Sequence, residues 1–78
     1  MPLAIVLINA EIGLEEELLR ELRKLNNVSE AHAVYGVYDI LAKVDAKTMK
    51  ELKEVITSEI RTLKNLRSSL TMMVLEGT

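Results

Sequence analysis

The centre of the chain reads VSEAHAVYGVYDILAKV over residues 28–44, and this stretch decides the fold. Residues 28–35 and 38–44 are rich in β-branched, aromatic and aliphatic side chains, a composition typical of strands. Gly36 and Val37 separate the two segments, and a Gly-X pair favours a two-residue type II′ turn. The stretch therefore predicts two antiparallel strands joined by a tight hairpin.

A strand and a helix are predicted before this hairpin. Residues 3–9 read LAIVLIN, an aliphatic run that is too short for a typical helix and predicts a strand with two apolar faces. Leucines then recur at helical spacing on an otherwise charged segment, at Leu14, Leu18, Leu19, Leu22 and Leu25. Acidic residues 15–17 open this segment and basic residues close it, as the helix dipole favours, and Asn26 predicts its end.

A second helix and a last strand are predicted after the hairpin. Thr48 and Glu51 fit the capping box, in which each side chain bonds a free backbone N–H of the first helical turn. The apolar stripe of this helix consists of Met49, Leu52, Ile56, Ile60 and Leu63. Residues 66–76 then alternate as a strand, with Leu70 and Met72 on one side and Thr71 and Met73 on the other.

The element order is strand, helix, strand, strand, helix, strand, which is the βαββαβ pattern of an α+β ferredoxin-like sandwich. In this fold two helices cover one face of a four-stranded antiparallel sheet. The other face is apolar here, because Leu3, Ile5 and Leu7 alternate with a second apolar set. We therefore expect one domain over residues 1–78 that dimerises through the sheet as a dimeric α+β barrel, which would also add to a small core.

Composition excludes several classes of protein. With 49% hydrophobic residues the chain is not disordered, and a net charge of −2 argues against direct binding to nucleic acid or to an anionic membrane. The absence of Cys and the presence of one His predict no disulfide, no cofactor and no metal site. The longest apolar run, residues 3–8, is far below the roughly 20 residues of a membrane helix, and no secretory signal is visible, so we expect a cytoplasmic protein.

Residues 35–44 and 66–76 resemble the ligand-binding domain of the Lrp/AsnC family of transcription regulators, called the RAM domain. The family's Gly-x-aromatic-Asp turn is matched by Gly36, Tyr38 and Asp39, and Lys43 lies in the apolar strand that follows. The family's terminal Thr-x-Thr is matched by Ser69-Leu70-Thr71 with one conservative change. The resemblance covers essentially the whole chain.

The resemblance implies a function as well as a fold. It implies a homodimer, rings of eight or ten subunits, and a small effector, expected to be an amino acid, bound between dimers. Family members also carry a DNA-binding helix-turn-helix domain, whereas this chain enters its first strand at once. We therefore expect a stand-alone RAM domain that is not an enzyme and that regulates indirectly, by co-assembly with full-length relatives. The candidate ligand-binding residues are Gly36, Val37, Tyr38, Asp39, Ser69 and Thr71.

Each candidate also has a purely structural interpretation. Asp39 can bind the amino group of a ligand, or it can brace the turn through backbone N–H groups. The hydroxyls of Ser69 and Thr71 share one face of a strand and can bind a ligand together, or they reflect ordinary strand composition. Tyr35 and Tyr38 can pack across a dimer or line a pocket.

Two further features favour structural roles. His32 has no partner motif and is expected at the surface or at an interface, and the acidic residues 15–17 are explained by their place in the first helical turn. Two other functions stay open: a small dimeric α+β barrel enzyme, and a purely structural oligomer. The sequence does not identify the effector, the oligomeric state beyond the dimer, or the pathway that is regulated.

Overall fold

The computed structural model describes residues 1–75 and contains the predicted elements in the predicted order. The strands are β1 (Leu3–Ala10), β2 (Val28–Ala33), β3 (Ile40–Asp45) and β4 (Leu66–Met73). The helices are α1 (Glu15–Arg23) and α2 (Met49–Val55), and α2 continues as a π-helical turn over Ile56–Ile60. Glu76, the last residue of the predicted final strand, lies outside the described residues.

The four strands form one antiparallel sheet in the order β2-β3-β1-β4, which confirms the ferredoxin-like topology. The central strand β1 is flanked by β3 on one side and by β4 on the other. Leu7 of β1 consequently lies opposite both Leu41 and Leu70 in the sheet register.

The hydrophobic core lies between the helices and one face of this sheet. Ala4, Val6 and Ile8 alternate along β1 and are fully buried. The helices supply Leu18, Leu22, Leu52, Val55, Ile56 and Ile60 to the same core. The predicted alternation of β1 and most of both apolar stripes are therefore confirmed.

One residue of the second stripe was assigned wrongly. Met49 is 41% exposed, whereas Val55, which the stripe omitted, is buried. Met49 is the first residue of α2, directly after the cap, and the buried side of the helix is completed by residues further along it. The Thr48 half of the capping box is confirmed, because the Thr48 hydroxyl accepts a hydrogen bond from the Glu51 amide at 3.1 Å. Among residues 1–75, the Glu51 carboxylate does not make the reciprocal hydrogen bond.

The opposite side of the sheet, which we call the open face, is not covered by any described element. Its apolar side chains come from three strands and are Leu3, Ile5, Leu7, Leu41, Leu70 and Met72. Leu70 and Met72 are 46% and 44% exposed. A polar cluster of Glu30, His32 and Lys43 borders this patch on the β2 side.

The connection between β2 and β3 corrects the hairpin prediction. The strands stop at Ala33 and restart at Ile40, so the predicted two-residue turn at Gly36-Val37 is wrong. The Val34 amide donates to the Asp39 carbonyl at 2.9 Å and closes a longer loop. Asp39 also contacts the strand on the other side, because its own amide donates to the Ile8 carbonyl of β1, also at 2.9 Å.

Candidate functional site

The loop between β2 and β3, residues 34–39, carries four of the predicted ligand-binding residues. Tyr35 and Val37 project from it and are highly exposed. Gly36 has a φ of +153°, which L side chains rarely adopt, so a glycine is favoured at this position whatever the loop binds. The loop therefore presents an exposed, glycine-dependent segment next to the end of β1.

Asp39 is half-buried and braces the sheet. Its carboxylate accepts a hydrogen bond from the Ala10 amide at 3.1 Å, and its amide donates to Ile8 two residues earlier on β1. Asp39 directly precedes β3, where the chain turns away from β1. Its carboxylate thus accepts from the Ala10 amide in place of a backbone carbonyl. One carboxylate oxygen of Asp39, Oδ2, therefore has the bracing role that was one of the two interpretations of this residue.

Ser69 and Thr71 lie side by side on β4, as their spacing predicts. Both are half-buried and line a groove of about 330 Å³ between β4 and the helix formed by α2 and the π-helical turn. We call this space the α2/β4 groove. Its lining residues are Lys53, Ile56, Thr57, Arg61, Ser69, Leu70, Thr71 and Met73.

The structure thus divides the predicted ligand-binding residues into two groups. Gly36, Val37, Tyr38 and Asp39 lie at the loop, and Ser69 and Thr71 lie in the α2/β4 groove, which the loop does not line. The two groups stand on opposite sides of β1 because β3 and β4 are its two neighbours. Both groups lie near Ile8 of β1, which pairs with Ile40 on one side and with Ser69 on the other.

The basic residues of the groove are not among the ligand-binding residues predicted from the sequence. Lys53 and Arg61 face it from the helix, together with Thr57 between them. The signal that could have found them is the spacing of eight residues between Lys53 and Arg61, two turns along one exposed helix face, with Thr57 midway. This spacing does not indicate a site in the sequence, because only the structure shows that this helix face borders β4.

Glu17 and His32, two other polar residues considered from the sequence, have structural partners. Glu17, in the first turn of α1, accepts a hydrogen bond from the Asn65 side chain at 3.2 Å. His32 lies on the exposed surface of β2, as predicted, and its Nε2 is 3.0 Å from a Glu30 carboxylate oxygen. The Lys43 ammonium lies 3.3 Å from the other oxygen of Glu30.

The contacts of His32 and Lys43 with Glu30 shift the ionisation equilibrium of the Glu30 carboxyl group. The hydrogen bond from His32, followed by the hydrogen bond and the charge of Lys43, lowers the pKa of Glu30 below its usual value. Glu30 therefore stays ionised into moderately acidic solution and keeps a negative charge beside the open face.

Neither a cluster of metal-binding side chains nor a membrane-spanning helix is found in the described part of the chain. Among residues 1–75, no group of three or more His, Asp or Glu side chains is placed to hold a metal ion. Over the same residues, no helix has the length and apolar character needed to span a bilayer.

Comparison with known proteins identifies relatives of two kinds. A homocitrate synthase of Saccharolobus islandicus is 47% identical over 57 residues, which cover 73% of this chain and 12% of the enzyme. The chain therefore matches only a small part of that enzyme's length. Among solved structures, FFRP-DM1 has a TM-score of 0.92 and 35% identity, covering 96% of this chain and all of that one.

Two transcription-regulator structures extend the comparison. Escherichia coli AsnC has a TM-score of 0.88 and 26% identity, over 96% of this chain and 51% of that protein. A Neisseria meningitidis regulator, NMB0573, whose structure is a complex with L-Met, shares the fold with a TM-score of 0.85 at 15% identity, over 97% of this chain and 51% of that one.

The family comparison agrees with these structures. The model of the Lrp/AsnC ligand binding domain matches residues 3–78, nearly the full sequence. That family is regulatory, and the enzyme matches are confined to a short part of each enzyme. On this match and on the similarity to FFRP-DM1, the chain belongs to the Lrp/AsnC ligand-binding domain family.

Proposed function

We propose that this domain is an effector-binding and assembly module. It forms homodimers through the open face, the dimers assemble into rings, and an amino acid binds between dimers. It acts in the cytoplasm and affects transcription indirectly, without binding DNA itself. The observation that carries the proposal is the match of an effector-domain family over residues 3–78.

The open face supports the dimer part of this proposal. Its six apolar side chains form a continuous patch across β3, β1 and β4, and patches of this kind mark interaction surfaces. A domain of 78 residues has a small core, so burial of this patch would contribute substantially to its stability. A second copy of the same face is a suitable partner, because symmetric dimers join identical surfaces.

Asp39 and its loop support the ligand part. One carboxylate oxygen of Asp39 is held by Ala10, and among residues 1–75 the other accepts no hydrogen bond. A carboxylate held in this way is a ready partner for an α-ammonium group. The exposed loop around Gly36 offers backbone N–H groups for an α-carboxylate, and Ser69 and Thr71 of a neighbouring subunit complete the proposed site.

Native mass spectrometry, with and without each of the twenty amino acids, tests this function directly. A ladder of dimers whose largest species gains an amino acid supports it, because a ligand that bridges dimers favours the assembled state. The variant Asp39→Asn keeps an oxygen that can accept from Ala10 but removes the charge, and we expect it to lose the ligand. Asp45→Asn, at the far end of β3, is the matched control and should keep it. A dimer indifferent to all twenty amino acids would refute amino-acid sensing.

The homocitrate synthase match favours a second candidate for the regulated partner. The same type of domain is present in an enzyme, at 47% identity over 57 residues, so its action need not be on transcription. Under this proposal the domain co-assembles with an enzyme that carries a related domain. Under the first proposal it co-assembles with full-length DNA-binding relatives.

Mixing experiments distinguish the two partners. The purified domain is mixed with a full-length Lrp/AsnC regulator or with a homocitrate synthase that carries the related segment, and mixed species are counted by mass. Mixed species with the regulator alone support the transcriptional proposal, and mixed species with the enzyme alone support the second. If neither mixed species forms, the domain assembles only with copies of itself. Turnover of a substrate by the purified domain would instead favour the barrel-enzyme alternative.

A further inference from the structure

The α2/β4 groove has a local charge unlike that of the molecule as a whole. The chain carries 12 acidic and 10 basic residues, yet the groove is lined by two cations, Lys53 and Arg61, and by no acidic residue. Over residues 1–75, neither cation lies within 4 Å of a carboxylate oxygen. The groove is therefore a positively charged site on an acidic protein, which favours an anionic occupant.

The hydroxyl groups provide a second, independent observation. Four hydroxyls in the described chain are hydrogen-bonded within it, namely those of Ser29, Thr48, Thr62 and Ser68. The hydroxyls of Thr57, Ser69 and Thr71 make no such bond within residues 1–75, and all three line the groove. Donors that have no partner in the protein thus converge where the cations already lie.

The π-helical turn brings these groups into one row. The Arg61 amide donates to the Ile56 carbonyl at 2.9 Å, a bond that spans five residues instead of four. In an α-helix, residues four apart are rotated by about 40° relative to each other, so Lys53, Thr57 and Arg61 would diverge. The wider turn reduces this divergence and keeps Arg61 beside β4, and such turns are frequent at functional sites.

The dimensions and the apolar lining restrict the size of the occupant. A volume of about 330 Å³ lies at the small end of the range for small-molecule sites. The side chains of Ile56 and Met73 form the apolar part of the lining. Lys53 and Arg61 are two helical turns apart, so two separate negative groups joined by an aliphatic chain fit better than one compact anion.

We propose that the α2/β4 groove binds a small aliphatic dicarboxylate. One carboxylate pairs with Arg61, the other pairs with Lys53, and the hydroxyls of Thr57, Ser69 and Thr71 donate to their oxygens. The aliphatic chain packs on Ile56 and Met73. A zwitterionic amino acid is a poorer ligand here, because the groove has no carboxylate to pair with an ammonium group.

This site goes beyond the proposed amino-acid function. It shares Ser69 and Thr71 with the proposed amino-acid site but depends on Lys53 and Arg61 where that site depends on Asp39, so variants of these residues test the two apart. Glutarate and glutamate have the same carbon chain and differ by one α-amino group, so they form a matched pair of probes. Binding of each to the full chain is measured by isothermal titration calorimetry at fixed ionic strength, with butyrate and inorganic phosphate as further probes. Amide chemical shifts locate the site at the same time.

We expect glutarate to bind more tightly than glutamate, butyrate or phosphate and to shift the amides of Thr57, Ser69 and Thr71. Arg61→Gln and Lys53→Gln should each weaken glutarate binding about tenfold, as expected for loss of a charge-assisted hydrogen bond. Lys50→Gln lies on the same helix but does not line the groove, and it should leave binding unchanged. Asp39→Asn should also leave glutarate binding unchanged. A loss of amino-acid binding in this variant is therefore distinguished from a loss of binding in the α2/β4 groove.

Several outcomes would overturn the dicarboxylate site. These are the absence of glutarate binding at millimolar concentration, equal binding of glutamate, and equal binding of phosphate, which would show a general anion preference. An equal loss of affinity in Lys50→Gln and Arg61→Gln would show that net charge, and not the groove, attracts the ligand. Circular dichroism of each variant confirms that the fold is retained.

Discussion

Asp39 shows how a single residue can serve the fold and still be available to a ligand. Its amide donates to the Ile8 carbonyl, and one of its carboxylate oxygens accepts from the Ala10 amide, so Asp39 contacts two alternate residues at the end of β1. Replacement by Ala would remove both a structural hydrogen bond and a charge, and the two effects would be mixed. The isosteric Asn separates them, which is why it is the informative variant for the effector site.

Asn65 is a second residue that connects separate elements through its hydrogen bonds. It is buried, its backbone carbonyl accepts from the Glu11 amide at 2.8 Å, and its side chain donates to Glu17 and Glu21 of α1. It therefore links the start of β4 to the first helix. The sequence indicated Asn65 only as the end of the second helical segment.

Glu30 provides a prediction about pH. Because hydrogen bonds from His32 and Lys43 lower its pKa in the folded state, ionised Glu30 stabilises the fold at pH values above its unfolded pKa. This contribution is lost as the pH falls through the lowered folded pKa, below the ordinary glutamate value of about 4.3. We expect Glu30→Gln to be less stable than the parent chain at pH 7, and the difference to shrink towards pH 3.

Urea unfolding at one fixed protein concentration measures this difference at both pH values. Glu54→Gln is the control, because Glu54 is exposed and has no ion-pair partner within 4 Å among residues 1–75. The control should show little pH-dependent difference from the parent chain. A Glu30→Gln deficit of the same size at pH 7 and pH 3 would contradict the assignment of the lowered pKa to this cluster.

At the scale of elements, local sequence signals are sufficient where neighbours in the chain are also neighbours in space. The capping box placed the start of α2 at Thr48, and the hydroxyl does accept from the Glu51 amide. The alternation of β1 separated its side chains into two apolar sets, and the structure shows which set is buried. The Gly-X signal did not predict the length of the hairpin loop, which is closed by the bond from the Val34 amide to Asp39, a residue that also contacts Ile8, 31 positions earlier.

The Thr48 cap gives a prediction at this scale. Thr48→Ala should lower the free energy of unfolding by about 1 kcal/mol, since the Glu51 amide loses its acceptor at the helix start. Thr48→Ser keeps the hydroxyl and should stay within a few tenths of a kcal/mol of the parent chain. Urea unfolding at pH 7 measures both variants. If Ser proved as destabilising as Ala, the hydrogen bond would not be the stabilising contact.

The edge strand β2 illustrates contacts between elements that the sequence did not suggest. The guanidinium of Arg23, at the end of α1, donates twice to the Ala31 carbonyl, at 3.1 and 2.8 Å. This carbonyl belongs to a strand with a neighbour on one side only. The helix therefore satisfies part of a sheet edge that would otherwise be open to pairing.

At the scale of the whole molecule, the open face is the proposed surface for assembly. Leu70 lies opposite Leu7 near its centre, and in a two-fold dimer each replacement occurs twice. Leu70→Lys should raise the dimer dissociation constant roughly a hundredfold, since each lost leucine contributes about 1.5 kcal/mol or more of apolar burial. Analytical ultracentrifugation over a concentration series measures the change.

Ile12→Lys is the matched control for this experiment. Ile12 is 87% exposed but lies in the connection between β1 and α1, away from the open face. We expect its dimer to dissociate like that of the parent chain. If Leu70→Lys also dimerised normally, the subunits would be joined through another surface, and the proposed packing of the two sheets would be wrong.

The sequence by itself determined the order of the elements, their buried faces and the family, because these follow from periodicity, capping and motifs that act over a few residues. Only the tertiary structure decided the partners of Asp39, the role of Asn65 and the existence of the α2/β4 groove. Lys53 and Ser69 are 16 positions apart, and neither carries a motif that refers to the other. Their meeting depends on β4 pairing with β1 at the sheet edge beside α2, which is a property of the packed sheet and not of either segment.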